Sequence, residues 1–243
     1  MEFRNKEEAK RTLGDINYYV RDDIAVGENT YSRLAIQTHF IEKGESYIEN
    51  IRRYVMPLYE NGDILSISEK VIAMCQNNTV DISEIKIGWW ARTLAKFASS
   101  TPAGPGVSTP SKMQLAINLA GLPRIIWASI CAAVGKIFGK KGVFYAVAGH
   151  EIAGIDGFYH KASFEIYKTT AILNPRDPSG VCAEIGREFG IPAYIVDAND
   201  LTREILGTPE TSPLTESEFI MTIDDNPAGQ DDELTPFILV RKI

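Results

Sequence analysis

The chain has 243 residues, with 25 Lys and Arg against 32 Asp and Glu, a formal net charge of −7. That length admits one large domain or two interlocked small ones, and it buries enough surface to hold a core without staples. The acidic balance argues against a non-specific nucleic-acid binder, because a phosphate backbone wants a basic face. Cys75, Cys131 and Cys182 are widely spaced and make neither a CxxC pair nor an even framework, which argues against a disulfide scaffold or a structural zinc site. His39, His150 and His160 do not fall in HExxH spacing. The N-terminus is charged and polar, unlike a secretory signal, and the most apolar stretch, Ile125 to Val134, is too short to span a bilayer. The expectation is a soluble cytoplasmic protein with no nucleic-acid and no membrane partner.

In chain order, residues 5 to 13 read as a short polar helix capped by Asn5 and stopped by Gly14. Ser32 to Phe40 alternates as a strand. Ser46 to Tyr59 places Tyr47, Ile48, Ile51, Tyr54, Val55 and Leu58 on a helical period. Asn61-Gly62-Asp63 turns the chain into the strand Ile64 to Ile67, which ends at Ser68-Glu69-Lys70. Ser99 to Pro110 is a loop rich in Gly, Pro and hydroxyl residues. Ser111 is a candidate cap for a helix over 112–120, ended by Gly121, and Pro123 opens a helix over 123–138 that is apolar nearly all round and therefore reads as central. Val143 to Val147 reads as a strand. Ala171 to Leu173 is a short strand, and a helix over 180–189 precedes Gly190. Pro192 to Val196 is a strand closed by Asp197-Ala198-Asn199-Asp200. Asn199 or Asp200 then caps a short helix ending at Gly207, and Pro236 to Val240 is the last strand.

Acidic and amide residues gather at three junctions: Gly154-Ile155-Asp156-Gly157, Asp197 to Asp200, and Asp225 to Gln230. Such oxygen donors suit Mg²⁺ or Mn²⁺, which could bridge nucleotide phosphates. The same residues are the ordinary ones of turns and helix caps, and spacing alone does not bring the three together. Lys70 can meet a phosphate as a point charge or pair with a surface carboxylate. Lys112 and Arg124 sit near helix starts, where they add charge to an anion site or are solvated. Cys182, just after a loop, is a candidate for a lowered pKa, although free Cys is often buried and inert. Trp89-Trp90 and Phe158-Tyr159 read as core or subunit contact.

These clusters stand in a familiar order. Asp63 to Ala73, then Ala153 to Gly157 with Leu173-Asn174-Pro175-Arg176-Asp177-Pro178, then Tyr194 to Asn199, and finally Gly229-Gln230 with Leu234 to Arg241 resemble the motifs of the coenzyme F-420 gamma-glutamyl ligase family. The likeness covers residues 32–243 and leaves 1–31 as an N-terminal extension. It implies an α+β fold of two interwoven α/β subdomains that forms a homodimer. Members of the family join L-glutamate to a coenzyme F-420 precursor through an acyl phosphate, with GTP as co-substrate. By resemblance, Asp156, Asp197 and Gln230 hold Mg²⁺ or Mn²⁺, and Ser68, Lys70 and Gln230 meet the nucleotide. The chain departs from the pattern at two places. Asp197-Ala198-Asn199-Asp200-Leu201 stands where archaeal-type members have Asp-Thr-x-Gly-Arg, and Gln76-Asn77-Asn78 replaces a Glu-Gly-Arg. It looks like a compact bacterial branch. The alternative reading is a non-catalytic homologue that binds a phosphate-bearing ligand, and a thiol hydrolase stands third.

Overall fold

The computed structural model describes residues 9–98, 106–159, 164–198, 203–229 and 233–243. The chain forms two compact units. Unit 1 joins Met1–Asn77 with Pro175–Ile243, and unit 2 is the continuous segment Asn78–Asn174. Helices and strands mix in both, as an α+β fold requires. Within the stretch 1–31, strands over 10–13 and 16–26 belong to unit 1.

Unit 1 opens with β1 (Lys10–Leu13), β2 (Ile16–Val26) and β3 (Asn29–Ile36), an antiparallel meander. The helix expected over 5–13 is therefore corrected within the described residues. Pairing with β2 overrides the helical preference of Lys10 to Leu13, and Gly14-Asp15 turns the hairpin. The next helix, α1 (Tyr47–Asn50), is capped by Ser46, whose side chain accepts from the Glu49 N–H. It widens into a π-helical turn over Ile51–Val55. Strand β4 (Ile64–Ser68) then leads directly into α2 (Glu69–Cys75).

In unit 2, β5 (Thr79–Asp81) is followed by α3 (Trp89–Ala95), α4 (Pro110–Ala120), α5 (Leu122–Ile137), α6 (Val143–Ala148) and α7 (His150–Ala153). Strand β6 (Asp156–Gly157), helix α8 (Ile166–Thr169) and β7 (Thr170–Ile172) complete it. The sheet order is β5-β7-β6, all antiparallel. Thr109, not Ser111, caps α4. Residues 143–148 are helical rather than a strand: Gly142 and Gly149 bracket them, and Arg124 Nε donates to the Val147 carbonyl at 3.1 Å. Helix α5 is not central, because Ile125, Ala128 and Gly135 are its buried residues. No single helix among the described residues is long and apolar enough to cross a membrane.

Unit 1 resumes with α9 (Pro178–Phe189), β8 (Ala193–Ala198), β9 (Arg203–Gly207), α10 (Glu216–Thr222) and β10 (Phe237–Lys242). The helix expected before Gly207 is corrected to β9, which pairs antiparallel with β8. The seven-stranded sheet runs β1-β2-β3-β10-β4-β8-β9, and β4 and β8 are its parallel pair. Period-two alternation supplies both faces. Leu65, Ile67, Ile195, Phe237 and Leu239 pack with Val181 and Ile185 of α9 on one side. Ile64, Tyr194, Ile238 and Val240 pack with Phe219 of α10 on the other. Tyr194 stacks on Phe219 at 3.8 Å and donates its hydroxyl to the Leu214 carbonyl at 3.1 Å.

Two ion pairs pin this sheet. Arg33, 1% exposed, donates to the Asp22 and Thr222 carbonyls and to both carboxylate oxygens of Asp225. Asp63, also 1% exposed, accepts from Arg241 Nε at 2.9 Å, Arg241 Nη2 at 2.7 Å and the Glu60 N–H at 2.9 Å. Asp63→Ala removes two charge-assisted bonds from Arg241, which keeps Glu60 and the Leu58 carbonyl, and frees the Glu60 N–H, so it should cost about 2 kcal/mol. The measurement is the urea midpoint.

Candidate functional site

In an open sheet, side chains at the carboxyl ends of adjacent parallel strands converge on one edge. Unit 1 has this arrangement at β4 and β8. Ser68 ends β4 and is in register with Val196, so Asp197 is the next residue along β8. Ser68 also caps α2 by position, with its backbone N–H bonded to the Pro236 carbonyl at 2.9 Å and its Oγ 3.5 Å from Glu69 Oε2. Lys70 follows in the first turn of α2, half-buried. The structure therefore puts Ser68 and Asp197 on neighbouring strand ends, with Lys70 two residues from Ser68. Directly across from Asp197 on β9 stands Glu204. Two carboxylates with substrate phosphates are a normal donor set for Mg²⁺. Within neither unit do the described residues bring three His, Cys, Asp or Glu side chains together as a metal cluster.

Asp156 belongs to unit 2. It lies in β6, paired with Ile172 of β7, and its Oδ1 accepts the Gly157 N–H at 2.7 Å. Its flanking glycines serve close packing. A Cβ on Gly157, at φ +102°, would lie 2.1 Å from the Thr170 carbonyl oxygen, and one on Gly154 would lie 1.7 Å from Asn174 Oδ1. Gln230, Asn199 and Asp200 lie outside the described residues. Asp225 is engaged by Arg33, so that cluster is architectural at its first residue. Arg124 is held against the α6 backbone, and Lys112 is buried.

Several motif residues turn out to shape the backbone. Asp177 caps α9 in the left-handed region, at φ 44°, with its Oδ1 accepting the Gly180 N–H at 3.1 Å and Pro178 in the first turn. Gln76 forms a reciprocal pair with Arg176: its amide donates to the Arg176 carbonyl at 2.8 Å and accepts the Arg176 N–H at 2.6 Å. Asn77 sits at φ 53°, where the family pattern has Gly. Asn is among the few side chains that tolerate this region, so the replacement preserves the turn.

One polar network escaped sequence reasoning. His39 Nδ1 meets the Tyr54 hydroxyl at 2.8 Å, and His39 Nε2 meets Glu45 Oε2 at 2.9 Å. Glu45 also accepts the Glu42 N–H at 2.6 Å and the Asn50 amide at 3.2 Å. Burial pushes the Glu45 carboxyl up, but these donors together outweigh it and hold it below the usual carboxylate range. No periodic signal marks such a set, because its members come from a loop and two helical turns. Cys75 and Cys182 are not nucleophiles in waiting. Burial, with the Glu45 charge adding to it, pushes the Cys75 thiol up to about 12, and burial does the same at Cys182. The lowered pKa expected for Cys182 is thus corrected.

The F420-0:gamma-glutamyl ligase family matches residues 35–191, and the chain belongs to that family. No curated protein matches the chain.

Two solution measurements follow. At about pH 8, iodoacetamide should spare Cys75 and Cys182, whose thiols stay protonated, and label Cys131 first, as read by mass spectrometry. Because the folded Glu45 carboxyl titrates below its unfolded value, its stabilising effect is complete above the ordinary glutamate range and fades as pH falls through the folded value. Acid titrations of stability should therefore show a shallower loss in Glu45→Gln than in the natural chain.

Proposed function

We propose that the chain is a metal- and GTP-dependent amide-bond ligase that adds L-glutamate, or a similar amino acid, to a small carboxylate such as a coenzyme F-420 precursor. The observation that carries this reading is the family match over residues 35–191. The neighbouring strand ends of Ser68 and Asp197, and the carboxylate of Glu204 opposite Asp197, support it.

In this mechanism an oxygen of the acceptor carboxylate attacks the γ-phosphorus of GTP, giving an acyl phosphate and GDP. The amine of glutamate then attacks the acyl carbon. The bond from that carbon to the phosphate oxygen breaks, the nitrogen loses a proton, and an amide and inorganic phosphate remain. Catalysis of such transfers is largely positioning and charge neutralisation. Lys70 places a point charge for the phosphates, and the Ser68 hydroxyl offers a hydrogen bond. Asp197, as the family resemblance implies, would hold Mg²⁺ or Mn²⁺ at this edge. A divalent cation there supplies charge neutralisation for the phosphoryl oxygens. Asp156 of unit 2 is the other carboxylate that the family pattern implies as a ligand, and Gln230 is proposed for the nucleotide or a second metal.

Ala198 stands where the archaeal-type pattern has a hydroxyl, and this favours a second reading, a non-catalytic binder of a phosphate-bearing ligand. The two are separated by one series. GTP with Mn²⁺ should raise the melting temperature by binding linkage. Asp197→Asn and Asp156→Asn, tested separately, should each abolish the rise. Glutamate and a carboxylate acceptor should then release phosphate from the natural chain. No rise with any nucleotide–metal pair overturns the ligase reading. A rise without phosphate release under any acceptor mixture leaves the binder.

A further inference from the structure

Unit 2 carries a face that its own core does not use. Helix α5 turns its small residues inward, burying Ala128 and Gly135 beside Ile125. It turns Trp127, Ile130, Val134 and Ile137 outward, and Phe138 follows its last turn. Exposure runs from 48% at Val134 to 81% at Ile137. An ordinary surface helix does the reverse, packing large apolar residues against the core and showing small or polar ones to water. A groove of about 480 Å³ runs along the same stripe, lined by Trp127, Cys131, Val134, Phe138, Lys140 and Val143. Contiguous apolar surface of this kind marks an interaction site.

Charge selects the occupant. Residues 85–150 contain eight Lys and Arg and not one Asp or Glu, within a chain of net charge −7. At the chain's average frequency, that stretch would carry roughly nine carboxylates. Lys136, Lys140 and Lys141 lie exposed at the end of the stripe. The segment around α3 repeats the composition, with Trp89 and Phe97 exposed and Lys86, Arg92 and Lys96 exposed in the same stretch. A second copy seated stripe to stripe about a twofold axis would put the same cationic helix on both sides, and like charges would oppose the contact. An anionic bilayer surface suits both properties. Apolar side chains enter the acyl boundary while lysines snorkel to the headgroups. With 16 residues, α5 is about 24 Å long, short of the hydrocarbon core. Helices α4 and α5 together reach the length and apolarity of a span, but the chain bends by 119° between them and α4 buries Met113, Leu115 and Ala116 in its own unit, so the contact lies in the plane of the membrane, a mode that an expectation argued from span length does not cover.

We propose that the outward face of α5 docks unit 2 reversibly on anionic phospholipid surfaces. The test is sedimentation of the full chain with vesicles of phosphatidylcholine alone, or with about a third phosphatidylglycerol. Binding to the anionic vesicles should be at least about tenfold tighter and should weaken with added salt. The paired changes Trp127→Gln and Phe138→Gln, and separately Lys136→Glu, Lys140→Glu and Lys141→Glu, should remove it without lowering the melting temperature. Bound vesicles should also slow alkylation of Cys131. Failure to bind anionic vesicles overturns the proposal, as does equal binding to both compositions or binding indifferent to these substitutions. A dimer by light scattering that protects Cys131 without lipid also overturns it, by assigning the face to a second copy.

Discussion

The pairing of Arg241 with Asp63 is the contact on which unit 1 turns. Val240 faces Ile64 in the antiparallel ladder of β10 and β4, so Arg241 meets Asp63 one step beyond the last strand pair. A bidentate ion pair at that point fixes register. A slip of one residue would send Leu239 to the face of Ile238 and invert both hydrophobic layers. The strand it anchors stands between β3 and β4, and it joins the N-terminal meander to the parallel pair. The edge that presents Ser68 and Asp197 exists because β10 holds β4 in place.

Where one element's own residues decide its conformation, the sequence was readable. The helical period of residues 46–59, the strands at β3, β4, β8 and β10, and the Gly-bounded helices α4 and α5 all appear near their expected limits. The misreadings share a cause. Lys10 to Leu13, Val143 to Ala148 and Arg203 to Gly207 are short, and their state is set by a partner strand or a neighbouring helix rather than by propensity. Helix α5 failed differently. Its apolar composition predicts depth, whereas the structure turns the large side chains outward. Of the candidate site, the adjacency of Ser68 and Asp197 depends on which strands are neighbours, and spacing in sequence carries no such information.

The structure also divides the family motifs by what they do. Asp177 caps a helix, Gly154 and Gly157 admit a close backbone approach, and Asn77 keeps a left-handed turn without glycine. These residues serve the shape of the backbone. Ser68, Lys70 and Asp197 instead stand at or beside the carboxyl ends of the parallel pair, where the sheet offers an edge to a ligand.

The Gln76–Arg176 pair has a consequence for chain entropy. It clamps the chain where unit 1 is interrupted, and just inside, Leu173 N–H bonds the Asn78 carbonyl at 3.0 Å while Asn78 donates to Asn174 O at 2.6 Å. Closing a flexible loop costs more as the loop lengthens. A folded segment that brings its own ends together replaces that loop with one of nearly zero length. Unit 1 therefore experiences the interruption as a tight turn, whatever its size, and the inserted piece behaves as a cassette whose contents can change without loosening the sheet that hosts it.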